Sequence, residues 1–382
     1  MKDFTFQVPQ EIIFGMGSLK RLPELLGKSG SKKVMIVSDR GLEKLGVVKK
    51  ITDIVEGEGI ETVSFLDILP NPTVDMVDEA VRRYREAGAT SIIALGGGSP
   101  MDVAKSVGVL AKYGGSIVDY EGAHLVPGPI EPVIAIPTTA GTGSEVTAFA
   151  VITDRSRNYK LTVFSYELIP KYALLDPAMI MSVPPSIAAS CGIDALIHAW
   201  EAYTSLAASP FSDSMAEKAM ELIGGNIRRF VANRKDEEAA GAMMSGSMFA
   251  GIAFAWARLG NVHAMSHPVS AFFGVQHGVA NSILLPVVAE YNALADCGRY
   301  EKIYHYICES KGPAADFRPK MLIDEVRKLN AELGIPGSLS EVGVTEDKIP
   351  QMAADAMKSG NIAANPRQST QKDIEALYHK AM

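Results

Sequence analysis

Apolar and polar positions follow two rhythms along this chain, and the rhythm changes once. In the first half, short apolar runs at 34–37, 91–95 and 133–136 end in Ser, Gly or Pro. Runs of that length closed by turn formers predict buried strands. Between the first two, residues 75–87 (DMVDEAVRRYREA) have helical spacing and a charged face. Strands alternating with amphipathic helices predict a parallel sheet covered on both sides. After Pro184-Pro185-Ser186 the pattern becomes long, rich in Ala and Met and poor in β-branched residues: 186–204, 212–231 and 237–262. These predict helices. The tail, from about residue 320, continues with amphipathic helices. The reading is an α/β N-terminal domain, 1–183, followed by an all-α C-terminal domain, 184–382. A length of 382 residues suits two domains.

Composition narrows the function classes. Hydrophobic residues make up 47% and charged residues 21%, enough to bury two ordinary cores. The net charge of −7 argues against nucleic acid and anionic membrane surfaces as partners. It leaves room for a local cationic pocket. Cys191, Cys297 and Cys308 are odd in number and form no CxxC pair, which suits free thiols in a reducing compartment. Residues 1–15 lack the apolar run of a secretory leader, and no apolar run approaches the roughly 20 residues that span a bilayer. A cytoplasmic protein is the expectation.

Four of the seven histidines fall between positions 198 and 277. Asp194 and His198 stand at i and i+4, and so do His263 and His267, so each pair shares a helix face. His277 follows a break at Gly274. One Asp with three His suits Fe²⁺, Zn²⁺, Mn²⁺, Co²⁺ or Ni²⁺. The competing reading is a set of packing histidines on Ala-rich helices. His124, His305 and His379 have no such company and are read as surface or packing residues.

Two loops suit phosphate. Gly96-Gly97-Gly98-Ser99-Pro100-Met101-Asp102 follows the strand at 91–95. Ser99 as N-cap and Pro100 as first helical residue would open a helix with free N–H groups at a strand end. Pro137-Thr138-Thr139-Ala140-Gly141-Thr142-Gly143-Ser144 follows the strand at 133–136. Its hydroxyls either serve a pyrophosphate or bond locally in a turn. Asp39, at the end of the first strand, either holds a ribose and rejects a 2′-phosphate or caps a helix. Arg40 beside it would soften that rejection.

Taken together, GGGSPMD (96–102), PTTAGTGSE (137–145), GIDALIHAWEAY (192–203), GNVHAMSHP (260–268) and QHGVAN (276–281) resemble the iron-containing, or group III, alcohol dehydrogenases. The resemblance runs from residue 14 to residue 367. It implies an α/β dinucleotide-binding domain and a helical metal-binding domain, an architecture shared with dehydroquinate synthase-like enzymes. It implies Asp194, His198, His263 and His277 as metal ligands, with Fe²⁺ first and Zn²⁺ as the alternative. His267 would stand near the substrate and cofactor, as a proton relay or as an orienting group. Asp39, Asn71, Gly97, Gly98, Ser99, Thr138, Thr139, Thr142 and Lys160 would line an NAD site. The expected activity is NAD(H)-linked oxidation of a short-chain primary alcohol or reduction of an aldehyde, by a homodimer or larger homo-oligomer. The alternatives are a dehydroquinate-synthase-like lyase and a non-catalytic binding protein.

The sequence departs from the family around the metal. AWARLG (255–260) replaces a segment that commonly reads NNAGLG, His267-Pro268-Val269-Ser270-Ala271 replaces HPLGA, Gln276 replaces a Pro and Val287 a His. Arg258 precedes His263 by five positions. Read on one continuous helix, it lies on a neighbouring face and reaches inward to grip an anionic head group such as a sulfonate or carboxylate, with Ser270 and Gln276 adding donors. The competing reading pairs Arg258 with Glu201 or sends it to solvent.

Overall fold

The computed structural model describes residues 6–8, 11–157, 159–308 and 316–382. Part of the N-terminal segment read for a leader therefore lies outside the described residues. The chain divides into two compact units, one of Gln7–Thr139 with Gly143–Met181, the other of Ala140–Thr142 with Ser182–Met382 and Phe6. The short stretch 140–142 thus belongs with the helical unit although its neighbours in sequence do not.

The α/β unit contains strands β1 (Glu11–Phe14), β2 (Lys33–Val37), β3 (Glu61–Phe65), β4 (Ser91–Gly96), β5 (Gly122–Ala123), β6 (Val133–Pro137), β7 (Phe149–Asp154), β8 (Tyr159–Phe164) and β9 (Tyr172–Leu175). Six of them form an all-parallel sheet in the order β1-β9-β6-β4-β2-β3. Helices α1 (Leu22–Ser29), α2 (Arg40–Lys44), α3 (Val47–Gly57), α4 (Val74–Ala87) and α5 (Gly98–Tyr113) complete the unit. Side chains alternate across each strand, so the buried strands feed two cores. Val34, Ile36, Ile93, Leu95, Ile134 and Ile136 meet Leu22, Leu25, Ile51 and Val55 of α1 and α3. Met35, Val37, Ile92, Ala94 and Ala135 meet Val77, Val81, Val103 and Val107 of α4 and α5. The chain leaves β2 for β3 on one side and later places β4 on the other. The strand order therefore reverses beside β2 and β4, the position where open α/β sheets bind ligands at their carboxyl ends.

The strands expected at 34–37, 91–95 and 133–136 are β2, β4 and β6, each longer by one residue. The antiparallel β7–β8 hairpin, joined by β5, had no counterpart in the sequence reading. The helix after β4 starts earlier than the Ser99 cap implied. Gly97 is its N-cap, and Ser99 and Pro100 lie in the first turn. Pro is tolerated there because first-turn N–H groups have no partner within the helix.

The helical unit runs through α6 (Pro185–Thr204), α7 (Pro210–Ala232), α8 (Glu237–Ala257), α9 (Asn261–Phe273), α10 (His277–Asn292), α11 (Arg299–Ile307), α12 (Pro319–Glu332), α13 (Ile349–Ala356) and α14 (Gln371–Ala381). Helices α6 and α7 both open with Pro at their first turn. The single helix expected over 237–262 is two. Arg258, at φ +63°, ends α8, and α9 starts at Asn261 after Gly260. That correction removes the helical offset used to place Arg258 relative to His263. A second correction concerns α8 itself, which is long and apolar enough to cross a membrane by length and composition. Here it is a largely buried core helix, packed against α6 and α7.

Candidate active site

Helix α6 is crowded with alanine, and small residues let neighbouring helices approach closely. Its Asp194 and His198 meet His263 of α9 and His277 of α10. The Asp194 Oδ1 lies 3.7 Å from His263 Nε2 and 3.9 Å from His277 Nε2. One ligand atom from each of these three residues lies within 4.8 Å of the others. His198 stands beside them outside that set. Its ring stacks on His263 at 4.6 Å and on Phe254 at 4.5 Å, and its Nδ1 is 3.3 Å from the Gly141 carbonyl.

The chemistry of this donor set suits a divalent cation. Asn281, one turn after His277, points its amide Nδ2 at Asp194 Oδ1 (2.6 Å), His263 Nε2 (3.1 Å) and His277 Nε2 (3.1 Å). Three lone-pair atoms from three helices thus converge on one electropositive group, the arrangement a cation requires. Burial alone would raise the Asp194 carboxyl, but the imidazoles of His198, His263 and His277 outweigh it and hold the group well below the ordinary carboxylate range. Burial pushes His198 down to about 4, which keeps its ring neutral and able to ligate. Burial also opposes charge on His263, but Asp194 and Glu201 carry it up to about 9, so a cation would bind there by displacing the Nε2 proton and leaving the ring neutral.

Glu201 is the residue that sequence reasoning missed. The sequence offers it only as a surface partner for Arg258, yet it is 5% exposed. Its Oε2 is 2.6 Å from His263 Nδ1, and its Oε1 accepts from the Val262 N–H at 2.7 Å. The signal was available: Asp194, His198 and Glu201 stand at i, i+4 and i+7 on one helical stripe. Gly260 makes room for this contact, since a Cβ there would lie 3.0 Å from Glu201 Oε1 and 2.9 Å from Asn365 Oδ1. Arg258 is exposed instead, with its guanidinium near Gly360. His267 is half-buried, and its ring stacks on His277 at 5.3 Å. His124, His305 and His379 are exposed and lie outside the cluster.

In the α/β unit, the loops after β4 and β6 lie side by side. The Thr138 N–H bonds to the Gly96 carbonyl, and a Cβ on Gly97 would sit 3.2 Å from Thr139 Oγ1. Gly98 and Ser99 open α5 beside them. Asp39 caps α2, its Oδ1 accepting from the Gly41 and Leu42 N–H groups. Arg40 is held by Asp67 and Glu43. Asn71, at φ +57°, accepts from Lys160 Nζ at 2.8 Å. Burial pushes Lys160 down to about 8, against the attraction of Asp102. Thr142 belongs to the helical unit. Under these loops, the fully buried Lys105 donates to Ser144 Oγ, the Thr147 carbonyl and the Phe149 carbonyl, while Ser144 donates to Asp102. Lys105 ties α5 to the chain that follows the threonine loop.

A parallel-sheet unit with glycine and threonine loops at its strand ends, and a helical unit whose carboxylate and imidazoles could hold a cation, suit a metal-dependent dehydrogenase. Residues 9–177 match the family described as iron-containing alcohol dehydrogenase, and residues 188–382 match the Fe-containing alcohol dehydrogenase family, C-terminal. The chain belongs to this family, and is therefore an NAD-dependent alcohol and aldehyde oxidoreductase with a divalent metal. It is 37% identical over 371 residues to the lactaldehyde reductase of Escherichia coli K12, covering 96% of this chain and 97% of that protein. The crystal structure of a 1,3-propanediol oxidoreductase matches it with a TM-score of 0.96 at 34% identity, over 100% of both chains. The sulfoacetaldehyde reductase of Bifidobacterium kashiwanohense, solved with NAD⁺, matches with a TM-score of 0.89 at 31% identity, over 100% of this chain and 99% of that one.

Proposed function

We propose that the protein interconverts a short-chain primary alcohol and its aldehyde, with Asp194, His198, His263 and His277 holding the metal, Fe²⁺ first and Zn²⁺ as the alternative. The observation that carries this reading is the convergence of Asp194, His263 and His277 on the Asn281 amide. When bound, the cation supplies charge that favours the alkoxide of the substrate and the nicotinamide supplies or takes the hydride. Asp194 offsets part of the cation's charge, and the neutral ring of His198 adds a donor without adding charge. His267 exchanges the proton that must enter or leave with each turnover, because its half-exposed ring reaches solvent and packs on His277. Gly97, Gly98, Ser99, Thr138 and Thr139 receive the cofactor's phosphates. Asn71 and Lys160 add a donor and a positive charge. The second carboxylate oxygen of Asp39 receives the ribose.

Within this class we assign an aldehyde with a short anionic head group. Arg258 is exposed beside Gly360 with no carboxylate within 4 Å among the described residues, so its guanidinium would have to turn inward to meet a head group at the cation cluster. A planar cation without a carboxylate suits a sulfonate or carboxylate. The likeness to a sulfoacetaldehyde reductase points the same way. The test follows NADH oxidation by metal-reconstituted protein with sulfoacetaldehyde, succinic semialdehyde, propanal and butanal. A charged aldehyde should give the highest kcat/KM, and Arg258→Gln should erase that lead. Gln is the cleaner probe, because Gly would also relieve the positive φ. A wild type that favours propanal would overturn the head-group assignment, and full turnover in metal-free protein would overturn the metal reading.

A further inference from the structure

We infer that Glu201 is a positioning residue that sets the affinity of the metal centre through His263. The inference rests on the metal reading above and adds to it a residue outside the ligand set. A carboxylate 2.6 Å from Nδ1 selects the tautomer that carries its proton there, which turns the Nε2 lone pair toward Asp194 and His277. The same carboxylate bonds the Val262 N–H at 2.7 Å and approaches the His263 N–H at 3.4 Å. It therefore holds both the ring and the N-terminal turn of the helix that carries it.

Charge makes the case stronger. Glu201 is buried, and among the described residues no Lys or Arg lies within 4 Å of it. Its partners are one imidazole and the N-terminus of α9, which together offset a full negative charge only in part. Asp194 and Glu201 together carry two negative charges, which matches a divalent cation surrounded by neutral imidazoles. Helix α6 thus presents two ligands and the support for a third along one stripe, so the geometry of α9 is set from α6.

The test compares metal affinity, measured by chelator competition, with the visible spectrum of the Co²⁺-substituted protein. Glu201→Gln keeps the shape but removes the charge. It also leaves an N–H₂ group facing either the Val262 N–H or the His263 Nδ1–H, both donors. Affinity should fall about 10–100-fold, and the Co²⁺ bands should shift, as expected for loss of a group that orients a ligand. Glu201→Asp keeps the charge and should retain more affinity than Gln, which keeps the comparison readable if Gln folds poorly. Asn365→Ala is the structural control. It removes an acceptor of the Asn261 N–H in the same helix turn without touching His263. It should lower the melting temperature while leaving metal affinity within about threefold. Wild-type affinity and an unshifted spectrum in Glu201→Gln overturn the inference, as does an equal affinity loss in Asn365→Ala. A wild type that binds no metal overturns the metal reading instead.

Discussion

Gly278→Ala should open the metal centre by about 1 Å, the excess of an ordinary carbon–oxygen contact over the separation available there. Gly278 follows His277 in the first turn of α10, and this turn lies against α6 at Ser190. A Cβ at Gly278 would sit 2.3 Å from the Ser190 carbonyl oxygen and 2.8 Å from its carbon. The obstacle is backbone, so no side-chain rotation relieves it. Gln276 docks on the same residue, donating to Ser190 Oγ at 3.0 Å. Asp194 stands one turn beyond Ser190 on α6. The displacement therefore falls between Asp194 and His277, whose ligand atoms are 3.9 Å apart. Metal–ligand distances tolerate only about 0.2 Å. Overpacking of this kind costs about 1–3 kcal/mol. If release of the metal relieves that strain, affinity falls about 5- to 140-fold, at 1.4 kcal/mol per tenfold. The assay is thermal melting with and without excess metal, together with chelator competition. Gly225→Ala, on α7 with open space around it, is the control and should gain about 1 kcal/mol of stability. A Gly278→Ala protein that binds metal like the wild type and melts no lower refutes the argument.

Two further outcomes concern the cofactor loops. Burial holds Lys160 down to about 8. Its protonated form attracts an anionic cofactor, so NADH affinity should be full below that value and fall severalfold between about pH 7 and 9. Titrated fluorescence of bound NADH measures this, Lys160→Arg should flatten the profile, and a flat wild-type profile removes Lys160 from the site. Asp39→Gly should narrow the preference for NADH over NADPH while costing only a few tenths of a kcal/mol as a lost cap, since Gly is itself tolerated at that position. Steady-state kinetics with both cofactors decides it, and equal use of both by the wild type shows that Asp39 does not discriminate.

The order of elements and the chemistry of several positions were legible in the chain. Apolar runs closed by Gly, Pro or Ser marked β2, β4 and β6, because a strand buried on both faces has no polar position to interrupt it. The spacing of Asp194 with His198 marked one helix face, because four residues nearly complete a turn. The double proline before α6 marked a helix start, because only there does a missing N–H cost nothing.

Other features arose only when separate elements met. The 237–262 segment reads as one apolar helix, and nothing local announces that Arg258 adopts a positive φ and ends α8 before α9 begins at Asn261. That break is what brings the Val262 N–H and the His263 ring to Glu201. In sequence Glu201 is an ordinary acid on a helix; burial and two donors from α9 give it a role. Asn281 likewise gains its place from three helices at once, and loop residues 140–142 join the helical unit against their neighbours in the chain. The sequence by itself determined the central strands β2, β4 and β6, several helix starts and the residue types able to bind a cation, because periodicity, capping and backbone restriction act within a few residues. Only the tertiary structure decided which carboxylate supports which histidine and where Arg258 lies, because those contacts join residues separated by tens of positions and depend on how whole helices pack.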